Sequence, residues 1–331
     1  MDAENPDVAG DDGLIAAYLL DGRGGGKEIG WPGIDEWRPG DGLLWVHLDH
    51  TRPRGAAWIH GRENLDPVVR EALTAEETRP RATTLGEGLL VALRGVNLNP
   101  GANPEDMVSA SLWVQENFIV TTRTRKLLSI QDIRDALHAG RGPRSAGEFL
   151  TEVADRLILR MAGVIDDIDD QVADLEHTIL ETESRELRTR LAGIRRQAIT
   201  LRRYMAPQRE AMSRLLVEKV DWLTDVDRIQ LREVADRLTR YLEDLDAARE
   251  RAGVMQEELA GRLSEQINSR MYVMSLAAVI FLPLGFLTGL LGVNVGGIPG
   301  AEFGGGFVIV CIVLVIVVAA QIWIFRRNRW I

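Results

Sequence analysis

MYVMSLAAVIFLPLGFLTGLLGVNVGGIPG, residues 271–300, carries no charged side chain, and after Glu302 the chain is again uncharged through residues 303–325. A helix rises about 1.5 Å per residue and needs roughly 20 apolar residues to cross a hydrocarbon core about 30 Å thick. Both stretches reach that length. The sequence therefore predicts transmembrane helices at 271–291 and 306–325, a loop at 292–305 and a basic tail at 326–331. Arg262 and Arg270 precede the first span and Arg326, Arg327 and Arg329 follow the second, whereas the loop has no Lys or Arg. That asymmetry places both termini in the cytoplasm and the loop on the periplasmic side. Trp323 and Trp330 bracket the last basic cluster as interfacial anchors do.

Immediately upstream, no proline occurs between Glu210 and Leu282, and Leu231, Val234, Leu238, Leu242, Leu245, Leu259, Leu263 and Ile267 keep a helical spacing from about Thr224. Stalk and first span are predicted as one helix of roughly 65 residues, about 100 Å long. A rod with so narrow an apolar seam buries it against partner helices, so the chain is expected to form a homo-oligomer. From Glu148 onward Leu157, Met161, Val164, Ile168, Val172, Leu175 and Ile179 mark an earlier helix, and another runs from about Arg185 to Met205, ending before Pro207. Residues 148–270 thus read as a helical region. The carboxylates Asp166, Asp167, Asp169 and Asp170 point to different sides of their helix and read as a solvated face.

Residues 1–147 have a different texture, with short apolar runs at 43–48, 89–93, 112–114 and 118–122 separated by polar turns, and a short helix expected over 66–75. They predict an α/β domain on the cytoplasmic side. Gly24, Gly25 and Gly26 are followed by no GK[ST] and read as a turn, not a phosphate loop. The fold class expected for the whole chain is an α+β membrane protein: a cytoplasmic α/β domain and a long helical stalk continuous with the first of two C-terminal transmembrane helices.

Composition narrows the function. The formal net charge is −10, which argues against a phosphate-tracking nucleic-acid binder. One cysteine, Cys311, permits neither a disulfide framework nor a thiolate metal cluster. In WVHLDH, residues 45–50, the alternation of a strand sends Asp49 and His50 to opposite sides, so these polar residues read as incidental and not as an enzyme's metal site. No resident cofactor is called for.

Steps of three and four along the first span gather Asn268, Met271, Ser275, Ala278, Leu282, Gly285 and Gly289 on one small, mildly polar face. Val273, Leu276, Ile280, Leu284, Leu287 and Leu291 form the other, suited to lipid or the second span. Several copies of the small face around an axis would line a narrow channel. Small-residue helix packing is the competing reading of the same pattern. Gly292-Val293-Asn294 follows, then Val295-Gly296-Gly297-Ile298-Pro299-Gly300, a backbone too irregular to face lipid. A ring of Asn294 amide oxygens suits a hydrated cation, which it can hold weakly enough to release.

These residues resemble the CorA metal-ion transporter family, in which a Gly-Met-Asn signature closes the first of two C-terminal spans. Here the signature reads Gly292-Val293-Asn294, and the run through Gly300 looks like the ZntB-like zinc transporter branch. Residues 112–123, LWVQENFIVTTR, are also similar to the family's cytoplasmic domain. The resemblance implies a homopentamer in the inner membrane, the first span lining the pore, and Gly292, Val293 and Asn294 recruiting cations. It further implies Zn²⁺ as cargo, with Cd²⁺, Ni²⁺ or Co²⁺ as extras, and proton-coupled uptake. Val293 in place of Met, and Gly300 after Pro299 where a glutamate often stands, depart from the magnesium branch and leave Glu302 as the only loop acid. A Mg²⁺/Co²⁺ channel and a membrane-tethered signalling or structural protein are the alternatives. Neutral imidazole and thiolate suit Zn²⁺, yet all five histidines precede the spans, so Zn²⁺ is expected to pass with its waters. Neither span holds an ionisable carboxylate to relay protons.

Overall fold

A computed structural model describes residues 12–76, 78–181, 185–293 and 304–327. Asn294, Glu302 and the 295–300 run lie outside the described residues, as do Arg329 and Trp330. The chain divides into two units, Met1–Gln256 and Glu257–Ile331.

The first unit is built on a seven-stranded sheet in the order β2-β1-β3-β7-β6-β5-β4. Its strands are β1 (Leu14–Leu20), β2 (Gly26–Glu28), β3 (Leu43–Asp49), β4 (Arg81–Leu85), β5 (Gly88–Gly95), β6 (Val108–Val114) and β7 (Phe118–Arg123). Strands β3 and β7 are parallel, with Trp45 opposite Ile119, and every other pair is antiparallel. The predicted strands all appear, and LLWVHL is central because both of its faces are covered. Leu44, Val46 and Leu48 enter a core with Ile34 of α1 (Trp31–Glu36), Ile59 of α2 (Pro53–Gly61), and Val69 and Leu73 of α3 (Pro67–Thr74). Trp45 points the other way and packs on Phe149 at 4.9 Å between ring centroids. The expected short helix is α3, capped by Asp66, whose carboxylate accepts from Val68 N. The glycine turn also forms: Asp21 Oδ1 accepts the Arg23 and Gly25 N–H groups, and Gly24 takes φ +101°, where a side chain would be strained.

The helices depart from the reading in several places, and α1 and α2 in the first domain were not expected. Helix α4 (Leu128–His138) was not expected. The first long periodic run is two helices, α5 (Ala146–Leu159) and α6 (Ala162–Glu181), broken where Arg160 makes a bidentate pair with Asp132 of α4 at 2.7–2.9 Å. Pro207 does not end its helix: α7 runs Arg185–Leu215 with the proline inside. Packing overrides the lost hydrogen bond, because Leu201 and Met205 before the proline and Met212 and Leu215 after it are all fully buried. Gln208 adds a buried bond, its Oε1 accepting from Arg94 N of β5 at 2.6 Å.

The stalk reading holds closely. Helix α8 runs Asp225–Leu291 without a break at Gly253 or Gly261. Thr224 and Asp227 start it reciprocally: Thr224 N donates to Asp227 Oδ2 at 2.9 Å, and Asp227 N to Thr224 Oγ1 at 3.2 Å. Within the first unit its seam is covered by the same chain. Leu231, Leu238 and Leu245 are buried, and ion pairs from Arg237 to Asp155 of α5, Arg202 of α7 to Asp246, and Arg251 to Asp169 and Glu176 of α6 flank it. That part of the seam therefore does not itself demand a partner chain, whereas Leu263 and Ile267, beyond it, are exposed. Helix α9 (Gly306–Arg327) follows, and both it and the end of α8 are long and apolar enough to cross a membrane.

Candidate ion pathway

The second unit sorts the two faces of the first span. Leu276, Ile280, Leu284 and Leu287 are half-buried, as are Val310, Leu314, Val317 and Gln321 of α9. These are four of the six large residues assigned to lipid or the second span; the other two, Val273 and Leu291, are exposed. Asn268, Met271, Ser275, Ala278, Leu282, Gly285 and Gly289 are all exposed, Leu282 to 77%. The face predicted to line the pore is thus uncovered by the described residues of its own chain, as are Val273, Val279, Phe281, Phe286, Leu290 and Leu291.

The glycines sharpen that contrast. A Cβ at Gly285 or at Gly289 would meet nothing within 4 Å. Their smallness therefore serves no packing against the described residues of the chain, and among these the small-residue packing alternative does not hold within one protomer. Ala278, Leu282 and Gly285 instead floor an open groove edged by Phe281 and Phe286, both about two-thirds exposed.

At the end of α8 the backbone explains the first residue of the Gly-Val-Asn motif. Gly292 N donates to Thr288 O at 2.9 Å, closing the last turn. A Cβ on Gly292 would sit 2.9 Å from that same carbonyl oxygen, a distance that real Cβ atoms essentially never show. Val293, where the described chain pauses, is exposed. Thr288 turns its hydroxyl back to Leu284 O at 2.9 Å and so offers no free donor to the exposed face.

Elsewhere, the polar residues weighed from the sequence form no competing site. His47 is buried, with Nδ1 2.8 Å from Thr121 Oγ1, and burial followed by the charges of Arg123 and Arg134 holds its pKa well below the ordinary imidazole value. Burial also lowers His50, against the opposing pull of Asp49 and Glu76. Asp49 closes a local turn through Thr51. The four carboxylates at 166–170 are exposed, Asp169 pairing with Arg251. Among the described residues no three His, Cys, Asp or Glu side chains converge as a metal site.

A family model described as CorA-like Mg2+ transporter protein matches residues 40–327. The chain is 43% identical over 320 residues to the zinc transport protein ZntB of Pectobacterium atrosepticum, covering 96% of each. It is 40% identical over 317 residues to the protein of that name from Yersinia enterocolitica, again over 96% of each. The structure of the full-length CmaX protein superposes with a TM-score of 0.84 at 39% identity, covering 98% of this chain and 100% of that one. The complete CorA magnesium transporter of Methanocaldococcus jannaschii shares the fold, with a TM-score of 0.78 at 16% identity over 95% and 98% of the two chains.

Proposed function

The chain belongs to the family of CorA-like Mg2+ transporter proteins, and from that premise we propose that it carries a divalent metal cation, Zn²⁺ foremost, across the inner membrane. The observation that carries this reading is the uncovered small face of α8, which ends at Gly292 where the motif loop begins. Helix α9 covers the opposite face, so copies of the chain meeting around an axis would present Ser275, Ala278 and Gly289 to a shared lumen. A homopentamer is the assembly that the family resemblance implies.

In this reading residues 271–291 and 306–325 span the bilayer, with the α/β domain and the 326–331 tail in the cytoplasm, as the flanking arginines favour. Asn294 amides, with Gly292 and Val293 setting their position, recruit the hydrated ion, and Glu302 supplies the only acidic charge in the loop. The face below holds a hydroxyl at Ser275 and no ligand that would strip water from Zn²⁺, so the ion travels with its shell. Zinc as cargo is supported by the names of the relatives at 40–43% identity. Cd²⁺, Ni²⁺ and Co²⁺ are the further candidates, and a proton gradient is the proposed driving force. The family description favours Mg²⁺ as the second reading.

Purified protein in liposomes loaded with a zinc-sensitive dye tests the proposal. Zn²⁺ entry should rise with an imposed proton gradient and fall at least tenfold in Asn294→Ala, with assembly intact on size-exclusion chromatography. Mg²⁺ flux without Zn²⁺ entry would select the second reading, and full uptake by Asn294→Ala would remove the loop from the mechanism.

A further inference from the structure

Pro283 sits inside α8, eight residues before its end, and has no N–H to donate. In an α-helix that donor would serve the carbonyl four residues back, here Val279 O. A carbonyl left open among apolar side chains is costly where no water reaches it. The side chain of Gln321 on α9 fills the vacancy: its Nε2 donates to Val279 O at 2.9 Å. Gln321 is the only residue between Gly306 and Phe325 with a side-chain amide, in a stretch otherwise built from aliphatic, aromatic and small residues. It is half-buried, and its own Oε1 is buried without a partner among the described residues. An amide placed in such surroundings needs a reason, and the open carbonyl supplies one.

We propose that Gln321 replaces the backbone donor that Pro283 deletes, making α9 the strut that fixes the geometry of the first span at its proline. The inference rests on the transport reading for its consequence and on geometry alone for the bond. Pro283 lies between Leu282 and Gly285 of the uncovered face, so the helix geometry held at the proline sets where that face lies. Gln321 is on this account a positioning residue: it touches no cargo and acts on the pathway through Val279.

A double-substitution cycle tests the strut, because Pro283→Ala restores the missing N–H. In full-length protein, Gln321→Leu should lower the melting temperature in the Pro283 background and leave it almost unchanged in the Pro283→Ala background. In the same liposomes Gln321→Leu should cut maximal Zn²⁺ entry per assembled protein about three- to tenfold, the range expected for one interhelical hydrogen bond in a membrane. The half-saturating Zn²⁺ concentration should not move, since recruitment belongs to the loop, and Pro283→Ala should rescue the rate. Additive effects of the two substitutions on melting would overturn the strut. A changed half-saturation with unchanged maximal rate would overturn the positioning role. A wild-type protein that carries no cation, with the coupling in melting preserved, would support the strut and overturn the transport reading instead.

Discussion

His47 occupies the middle of the sheet with Nδ1 satisfied by Thr121 and Nε2 enclosed without a partner among the described residues. Burial, then Arg123 and Arg134, disfavours its protonated form, so the folded protein keeps it neutral. The unfolded chain has no such restraint and takes up the proton as pH falls through the ordinary value near 6.5. Below that pH the unfolded state holds more protons than the native one, and stability is lost at up to about 1.4 kcal/mol per pH unit until the folded pKa is reached. Above it the group contributes no slope. Tryptophan-fluorescence melts of full-length protein at pH 5.5, 6.5 and 7.5 should show a drop on the acid side that His47→Gln reduces. An identical acid slope in the variant would mean that other groups carry it. The strand pattern in the sequence identified this histidine as structural, but only the fold shows that its charge state is tied to stability.

At the scale of the element, α8 is decided at its ends. Thr224 and Asp227 start it, and Gly292 closes it on Thr288 O. Gly292→Ala places a methyl against that carbonyl, an overpacking of about 1–3 kcal/mol that the turn relieves by shifting the loop beyond it. Zn²⁺ uptake by assembled protein should therefore fall several-fold, while Gly261→Ala, in open space on the same helix, should leave uptake unchanged. Equal uptake by the two variants would remove the steric role of Gly292. Much of this was legible beforehand. The absence of proline over seventy residues foretold the rod, and turn-bracketed apolar runs foretold the strands. What escaped did so for physical reasons. Helix α7 continues through Pro207 because packing on both sides outweighs one missing bond. The gap between α5 and α6 bears no glycine or proline, and Arg160 within it pairs with Asp132 of α4, a contact that lies outside the periodic run. The sequence reading starts that run at Glu148, whereas α5 begins at Ala146, where Ser145 Oγ accepts from Glu148 N and Glu148 Oε2 accepts from Arg144 N. Gln321 bears no charge and bonds a backbone atom, Val279 O, that is open only through Pro283, and side-chain pattern alone does not display such a pair.

For the molecule as a whole, the structure relocates the argument for assembly. Through Leu259 the stalk seam is covered by α5, α6 and α7 of the same chain, so it is its exposed end at Leu263 and Ile267 and the bare face of the span, with glycines that meet no described residue, that call for neighbours. In the proposed pentamer that face borders water and ions, and the α9-covered face does not. Cysteine substitution in a Cys311→Ala background, which removes the only native thiol, separates the two faces directly. After treatment with a charged methanethiosulfonate, Ser275→Cys, Ala278→Cys and Gly289→Cys should lose Zn²⁺ uptake, while Leu276→Cys, Leu284→Cys and Leu287→Cys should retain it. Block at the second set with the first set unaffected would contradict the account and move the ion path to the other side of α8.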